Sequence, residues 1–302
     1  MGQALLKIAA IATVGITLAS SVSSVNAQTL TGTLKKIKDS GTIVLGVRES
    51  SIPFSYLDDS QKPIGYSIDL CMKVVDAVKK ELRMPNLQVK MNPVTSQTRI
   101  PLMINGTIDL ECGSTTNSVE RQKQVAFSVA HFVTSVRMAV KADSGIKSLA
   151  DLDGKPVVTT TGTTSDRYIK QNEQGKQINV RNLYGKDHAE SFLMLESGRA
   201  VAFVMDDVLL AGLIARSKNP KNFKIVGPAL SVEPYGLMLR KDDPAFKKIV
   251  DKTLSTLMKT GEARKIYGKW FTSPTPPKGV NLGLPMSPKL QDAFRTPTDK
   301  GV

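Results

Sequence analysis

Short apolar runs alternate along the chain with stretches whose apolar residues recur at helical spacing. GTIVLGVR (41–48) is the kind of run that forms a buried strand, and YSIDLCMKVVDAVKKEL (66–82) has apolar residues three and four apart, as in an amphipathic helix. The next segments predict a strand at 87–94, a short helix at 96–106 and a strand at 107–113. This β-α-β-α-β order indicates an α/β lobe with a mainly parallel sheet.

A second series with the same alternation follows residue 156. We predict strands at 157–161, 178–184 and 200–207, helices at 164–175 and 189–198, a strand at 235–243 and a long helical tail at 244–271. The Pro-rich last 30 residues are expected to wrap around a surface. The predicted fold class is therefore α/β, with two lobes that are each a mainly parallel sheet flanked by helices. A ligand would lie in the cleft between them, at the carboxyl ends of the strands.

The first 27 residues have the pattern of a cleaved secretory signal peptide. Lys7 precedes an apolar run at 8–18, and Val25-Asn26-Ala27 offers a cleavage point after Ala27. The alternative is a membrane anchor, but polar and small residues interrupt the run, which falls short of the ~20 residues that a spanning helix needs. We therefore expect an exported chain.

The composition favours an anionic partner, which could be a ligand, a membrane face or nucleic acid. The chain carries 41 Lys and Arg against 27 Asp and Glu, a net charge of +14. Because the basic residues are scattered and only 5% of residues are aromatic, nucleic acid is not the expected partner. Two cysteines and two histidines give no metal-site spacing, and no metal or other cofactor is predicted. Cys71 and Cys112 either form a disulfide or lie buried as free thiols, and the sequence leaves both open.

The segment ECGSTTNSVERQKQVAFS (111–128) places a turn rich in Ser and Thr ahead of an arginine. The turn offers hydroxyls and free N–H groups, and the guanidinium of Arg121 can meet both oxygens of a carboxylate. This pattern is typical of an anion site. It is also found where a capped helix start precedes a surface arginine, which is the simpler interpretation of an isolated turn.

Further segments give the motif a context. They are GTIVLGVRESSIPFSYLDDSQKPIGYSIDL (41–70), LADLDGKPVVTTTGTTS (149–165), ESGRAVAFVMDD (196–207) and GEARKIYGKWF (261–271). In these segments the chain resembles the extracytoplasmic solute-binding proteins of ABC importers, and most of all their glutamate/aspartate-binding branch. The resemblance implies a two-lobed, type II periplasmic-binding-protein-like fold. It implies lobe 1 at 28–137, lobe 2 at 138–234, and a return to lobe 1 with the C-terminal tail at 235–302.

The resemblance also assigns residues to the α-carboxylate of a ligand. In the family, the turn after the third strand of the first lobe holds this group, and the matching residues are Ser114, Thr116 and Arg121. Thr164, in the second hydroxyl-rich turn TTGTTS (160–165), matches the residue that closes on the same carboxylate.

The other end of the ligand and its ammonium are assigned in the same way. Asp206 matches the partner of the α-ammonium, and its neighbour Asp207 remains an alternative. The residues that match the family's side-chain carboxylate pocket are Arg48, Ser96, Arg99 and His188. Three arginines and Asp206 leave the site with a net charge of about +2, which suits an acidic amino acid and disfavours a cationic one. Glutamate and aspartate differ by one methylene, so their order of preference stays open.

The resemblance implies a periplasmic carrier, working as a monomer, that captures L-glutamate or L-aspartate and delivers it to an ABC permease at the inner membrane. It assigns no catalytic residue. The alternative is an exported dehydratase-like enzyme on the same fold, in which Glu49, Glu111 or His188 would transfer the proton. His131 is interpreted as structural.

Overall fold

The computed structural model describes Met1 and residues 30–175 and 177–302. The predicted signal peptide, residues 1–27, lies outside the described residues except for Met1. The architecture below belongs to one compact unit, Thr31–Val302. None of the helices in the described ranges combines the length and the apolar character that crossing a membrane requires.

The described part of the chain contains strands of two to thirteen residues. They are β1 Thr42–Val47, β2 Ser50–Ser51, β3 Ser55–Leu57, β4 Pro63–Ile64, β5 Gln88–Pro93, β6 Leu110–Glu111, β7 Val125–Phe127, β8 Phe132–Lys141, β9 Pro156–Thr160, β10 Arg181–Gly185, β11 Ala202–Asp206, β12 Phe223–Tyr235 and β13 Met238–Arg240.

Helices follow most of the longer strands. They are α1 Gly32–Ser40, α2 Tyr66–Leu82, α3 Arg99–Ile104, α4 Val119–Gln122, α5 Thr164–Gln174, α6 His188–Glu196, α7 Asp207–Arg216, α8 Pro244–Thr260, α9 Glu262–Phe271 and α10 Pro288–Arg295. Short 3-10 turns lie at Leu149–Leu152 and Pro220–Asn222.

The first lobe is built on a five-stranded sheet of order β5-β1-β6-β13-β7. Strand β1 runs parallel to both β5 and β6, whereas β13 runs antiparallel to β6 and β7. Four of the five strands therefore point the same way, and β13 is the return strand. A small sheet of β2, β3 and β4 lies between β1 and α2 in the chain.

The second lobe is built on a five-stranded sheet of order β10-β9-β11-β8-β12. Here β9, β10 and β11 are parallel, and β8 runs antiparallel to β11 and β12. The chain enters this sheet through β8 and leaves it through β12, which pair from Phe132↔Tyr235 onward. The predicted fold class, α/β with two lobes and mainly parallel sheets, is confirmed.

Individual elements agree with the predictions to different degrees. Helix 66–82 has the predicted bounds, and its buried residues recur at helical spacing. The predicted helical tail at 244–271 consists of two helices, because Gly261 adopts a left-handed conformation with φ +81° and separates α8 from α9. The predicted strand at 107–113 has only Leu110–Glu111 in the ladder.

A disulfide joins Cys71 to Cys112, with 6.1 Å between their Cα atoms. Cys71 lies in the middle of α2, and Cys112 directly follows β6. The sequence left this pairing open, since it could not give the distance between the two residues. The bond fixes the end of β6 to α2, and therefore anchors the start of the turn that carries Ser114 and Thr116.

The C-terminal residues return to that same turn. The N–H of Val119 donates to the backbone oxygen of Val302 (2.8 Å), and the N–H of Val302 donates to the Asn117 carbonyl (3.1 Å). Lys247 pairs with Asp299 at 2.9 Å, which holds the tail against α8. The predicted wrapping tail therefore ends beside α4.

His131 lies in the interior, as its structural interpretation requires. Its ring is 5.8 Å from that of Tyr66, whose hydroxyl donates to the His131 carbonyl (2.9 Å). Neither ring nitrogen has a hydrogen-bond partner among the described residues. Burial lowers the pKa of His131 to about 3.

This histidine should make folding stability depend on pH. Because the native pKa lies below the unfolded value of about 6.5, the unfolded chain takes up the proton first, and stability is lost as pH falls from about 6.5 toward 3. At pH 5 the loss from this group alone should be about 2 kcal/mol. Urea unfolding of the wild type and of His131→Phe, at pH 7 and pH 5, measures it. The variant should lose less stability than the wild type, and an equal loss would contradict the assignment.

Candidate functional site

The hydroxyl-rich turn after β6 caps a helix and also positions an arginine. Ser118 accepts a hydrogen bond from the N–H of Arg121 (3.3 Å) and so caps α4. The guanidinium of Arg121 folds back over the turn, where Nη1 donates to the Thr116 carbonyl (2.9 Å). The segment therefore starts a capped helix, and its arginine is buried rather than exposed at the surface.

Arg121 also reaches the second lobe. Its Nη2 donates to the carbonyl of Gly162, at a distance of 3.2 Å. Gly162 has φ +80°, and a Cβ built there would lie 2.8 Å from the Cα of Gln97 in the first lobe. Only glycine allows this approach of the two backbones. The lobes are therefore in contact across the cleft.

The second lobe contributes residues at the ends of three strands. Thr163 follows β9 and caps α5 by accepting the Asp166 N–H (3.0 Å), which leaves Thr164 as the first helical residue. His188 begins α6 after β10, and its Nδ1 lies 3.0 Å from Oγ1 of Thr160. Asp206 is the last residue of β11. Residues far apart in the chain thus converge at one edge of the sheet.

Eight of the nine predicted residues line one small cavity. These are Ser96, Arg99, Ser114, Thr116, Arg121, Thr164, His188 and Asp206. The ninth, Arg48, is not part of the lining but donates from Nη2 to Oγ of Ser96 (2.8 Å). The cavity also contains Thr163, Met205 and Leu209, which the sequence did not indicate as lining residues.

Asp206 and Asp207 face different environments. Asp206 is 4% exposed, lines the cavity and accepts a hydrogen bond from the Tyr235 hydroxyl. Asp207 instead accepts from the Thr134 hydroxyl (2.7 Å) and lines a separate, larger groove. Burial and the nearby Glu233 carboxylate raise the pKa of Asp206 well above its usual range. A cation beside Asp206 would favour its ionised form.

Arg48, Arg99 and Arg121 are buried, and burial lowers the pKa of each guanidinium. Burial, and then the neighbouring Arg99, lower the pKa of Arg48 to about 10. For Arg121 the same two causes lower the pKa to about 9. Burial lowers the pKa of Arg99 as well. All three remain charged at neutral pH.

His188 is neutral in this setting. Burial, followed by the charges of Arg48 and Arg99, lowers its pKa well below the usual value. The imidazole therefore adds hydrogen-bonding atoms to the cavity without adding charge.

Two buried carboxylates near the arginines were not included in the predicted site. Glu111 is fully buried, and its Oε2 accepts from the Thr115 hydroxyl (2.7 Å), which in turn accepts from Nη1 of Arg99 (2.6 Å). Glu233, at 4% exposure, accepts from the hydroxyls of Thr116 and Thr164. An acidic residue inside an apolar strand, as in SVEPYG, was the signal that could have identified Glu233.

These carboxylates correct the predicted net charge of about +2. Formal charges on the three arginines are matched by those of Asp206, Glu111 and Glu233. The site is therefore balanced overall and polarised locally, with the arginines as its positive groups and the carboxylates as its negative ones.

Several buried polar atoms of the site have no hydrogen-bond partner among the described residues. They are Nη1 of Arg48, Nε of Arg99, Oγ of Ser114, Oε1 of Glu111 and Oδ1 of Asp206. Unpaired donors on the arginines and an unpaired acceptor on Asp206 complement a small molecule that carries both anionic and cationic groups. Within residues 30–175 and 177–302, no cluster of side chains is suited to a metal ion.

Known proteins match this chain over most of its length. The family described as bacterial extracellular solute-binding proteins, family 3, matches residues 43–273. The L-glutamate/L-aspartate-binding protein of Pseudomonas aeruginosa is 57% identical over 277 residues, 91% of this chain and 92% of that protein. The glutamate/aspartate import solute-binding protein of Escherichia coli K12 is 52% identical over 270 residues, 89% of each chain.

Solved structures share the fold. A mutant of ArgBP from T. maritima superposes with a TM-score of 0.70 at 28% identity, covering 78% of this chain and 98% of that one. An ancestral arginine-binding protein bound to arginine gives a TM-score of 0.68 at 33% identity, with 76% and 98% covered. By sequence and by fold, the chain belongs to family 3 of the bacterial extracellular solute-binding proteins.

Proposed function

We propose that this protein is the periplasmic substrate-binding component of an ABC importer, which captures L-glutamate and L-aspartate and delivers them to a membrane permease. The observation that carries the proposal is the cavity itself, where buried guanidinium donors and a buried aspartate converge with unpaired atoms. The names of the relatives in Pseudomonas aeruginosa and Escherichia coli point to the same ligands.

The α-carboxylate of the ligand would lie against Arg121, between the turn of Ser114 and Thr116 and the start of α5 at Thr164. Arg121 supplies the charge, and the N–H groups of Thr164 and Ser165 at the start of α5 have no hydrogen-bond partner among the described residues. The α-ammonium would pair with Asp206, whose Oδ1 is an unpaired acceptor in this cavity.

The side-chain carboxylate would lie toward Arg99, Arg48 and Ser96, with His188 beside it. Both arginines keep a buried N–H group without a partner, and a carboxylate can accept from both. The amide of glutamine would present donors to these donors, at a cost of about 1–3 kcal/mol.

Capture would proceed by closure of the lobes about β8 and β12. Contacts that exist only when the lobes meet, such as Arg121 with Gly162, favour the closed form. We propose the lobe limits 28–137, 138–234 and 235–302, because the paired strands β8 and β12 connect the two sheets.

Export through a cleaved signal peptide at 1–27 and a monomeric carrier are parts of the same proposal. The enzyme alternative has little support, since Glu111 is engaged by Thr115 and the relatives are described as binding or import proteins. No proton-transfer step is needed for capture and delivery.

The first test is calorimetric titration of the mature chain, residues 28–302, after unfolding and refolding to remove bound ligand. We expect L-glutamate and L-aspartate to bind, and glutamine, asparagine, arginine and histidine to bind at least roughly tenfold more weakly. Preference for glutamine or arginine would disprove the acidic side-chain pocket. If none of the six amino acids binds, the proposal that this protein is an amino-acid carrier is wrong.

Arg99→Lys tests the side-chain pocket. Lysine keeps the charge but lacks the planar fork, so L-glutamate should bind at least roughly tenfold more weakly. Arg137→Lys is the matched control, because Arg137 bonds the Gly227 carbonyl and does not line the cavity. Calorimetry on both variants decides the matter, and equal affinities would remove Arg99 from the site.

Asp206→Asn and Asp207→Asn form a second matched pair. Removing the charge from a buried ion pair costs about 2–5 kcal/mol, so Asp206→Asn should weaken every amino-acid ligand by at least about thirtyfold. Asp207→Asn should change the dissociation constant by less than about threefold, since its partner Thr134 lies outside the cavity. The opposite result would assign the ammonium to Asp207.

A further inference from the structure

Glu233 lies where the two lobes and their connecting strand meet. In β12 it shares one face with Ser231 and Tyr235, since alternate residues of a strand point to the same side. Beyond it, the N–H of Asn117 donates to the Pro234 carbonyl (2.8 Å), so this end of β12 is joined to the turn of the first lobe.

The carboxylate of Glu233 takes three hydroxyl hydrogens. Oε2 accepts from Thr116 of the first lobe and, at 2.7 Å, from Thr164 of the second. Oε1 accepts from Ser231 at 2.9 Å. A threonine hydroxyl has only one hydrogen to donate. With these hydrogens directed to Glu233, Thr116 and Thr164 can offer any other partner only their lone pairs.

Asp206 provides an independent observation. Only 4% of its surface is exposed, and its Oδ1 has no hydrogen-bond partner among the described residues. It lines the cavity together with Thr116 and Thr164. Glu233 is close enough to contribute, after burial, to the raised pKa of Asp206. Two neighbouring buried carboxylates repel one another, and a cation beside both removes that cost.

We propose that Glu233 is a specificity-determining residue, the second carboxylate of the ammonium subsite, which fixes the Thr116 and Thr164 hydroxyls as hydrogen-bond acceptors. This inference rests on the proposed function and deepens it. The α-carboxylate is then held by Arg121 and backbone N–H groups rather than by the threonine hydroxyls.

The consequence is selection for ligands with an α-amino group. Glutarate has both carboxylates of glutamate and no ammonium. In the wild type it meets Asp206 and threonine lone pairs with nothing to donate, and the Glu233 carboxylate lies behind those two hydroxyls. The site therefore rejects a dicarboxylate whose two anionic ends fit, and Glu233 supplies part of that rejection.

The experiment compares L-glutamate with glutarate by calorimetry on refolded mature protein, for the wild type, Glu233→Gln and the control Asp207→Asn. The wild type should prefer L-glutamate strongly. In Glu233→Gln the ratio of the glutarate dissociation constant to the L-glutamate dissociation constant should fall by at least about tenfold. The reason is that L-glutamate loses an attraction and glutarate loses a repulsion. Asp207→Asn, which removes an equal charge outside the cavity, should leave the ratio within about twofold.

Other results overturn the inference in separate ways. If Glu233→Gln binds L-glutamate and glutarate more weakly by the same factor, the role of Glu233 is purely structural. If the variant binds both more tightly, Glu233 competes with the ligand in the wild type. If the wild type binds no L-glutamate, it is the proposed function that fails. If Glu233→Gln does not fold, Glu233→Asp replaces it, since the shorter side chain keeps the charge but cannot reach both hydroxyls. Its ratio should fall by at least about threefold, and an unchanged ratio would contradict the proposal.

Discussion

Three guanidinium groups lie in the interior of this protein, and a buried charge must be matched or the fold does not hold. The matching groups come from every part of the architecture. Glu111 ends a strand of the first lobe, Asp206 ends a strand of the second, and Glu233 belongs to the strand that connects them. The second lobe and the connecting strand therefore add negative charge to a first lobe that holds the three arginines and Glu111, and the cavity lies between the two lobes.

Burial and charge also explain why hydroxyl-rich turns occur at the cleft. Ser118 and Thr163 satisfy N–H groups at helix starts, which frees neighbouring side chains to face the cavity. The same short segments then provide caps, hydrogen-bond donors and room for close backbone contact at Gly162. A substitution in either turn would change local helix stability and ligand contacts together, so the two effects must be separated by measuring folding alongside binding.

The sequence predicted much of this arrangement, because the strand and helix periodicities are strong and the two turns follow strand ends. It could not predict features that depend on distance. The Cys71–Cys112 bond and the burial of His188 at the start of α6 both follow from tertiary packing. Glu233 was missed for a related reason. A single acidic residue in a strand carries no indication of which hydroxyls, from two other elements, will surround it.

The hydrogen bonds of Val302 matter for the design of fusion proteins. Residues 274–302 lie beyond the span that matches the family, yet Val302 pairs with the backbone on either side of Ser118. A purification tag or fluorescent protein fused after Val302 would disturb its hydrogen bonds to Asn117 and Val119, in the segment that orients Arg121. Biosensors made from this protein should therefore carry their reporter at an exposed loop, such as the turn around Asp59 and Ser60, which does not line the cavity.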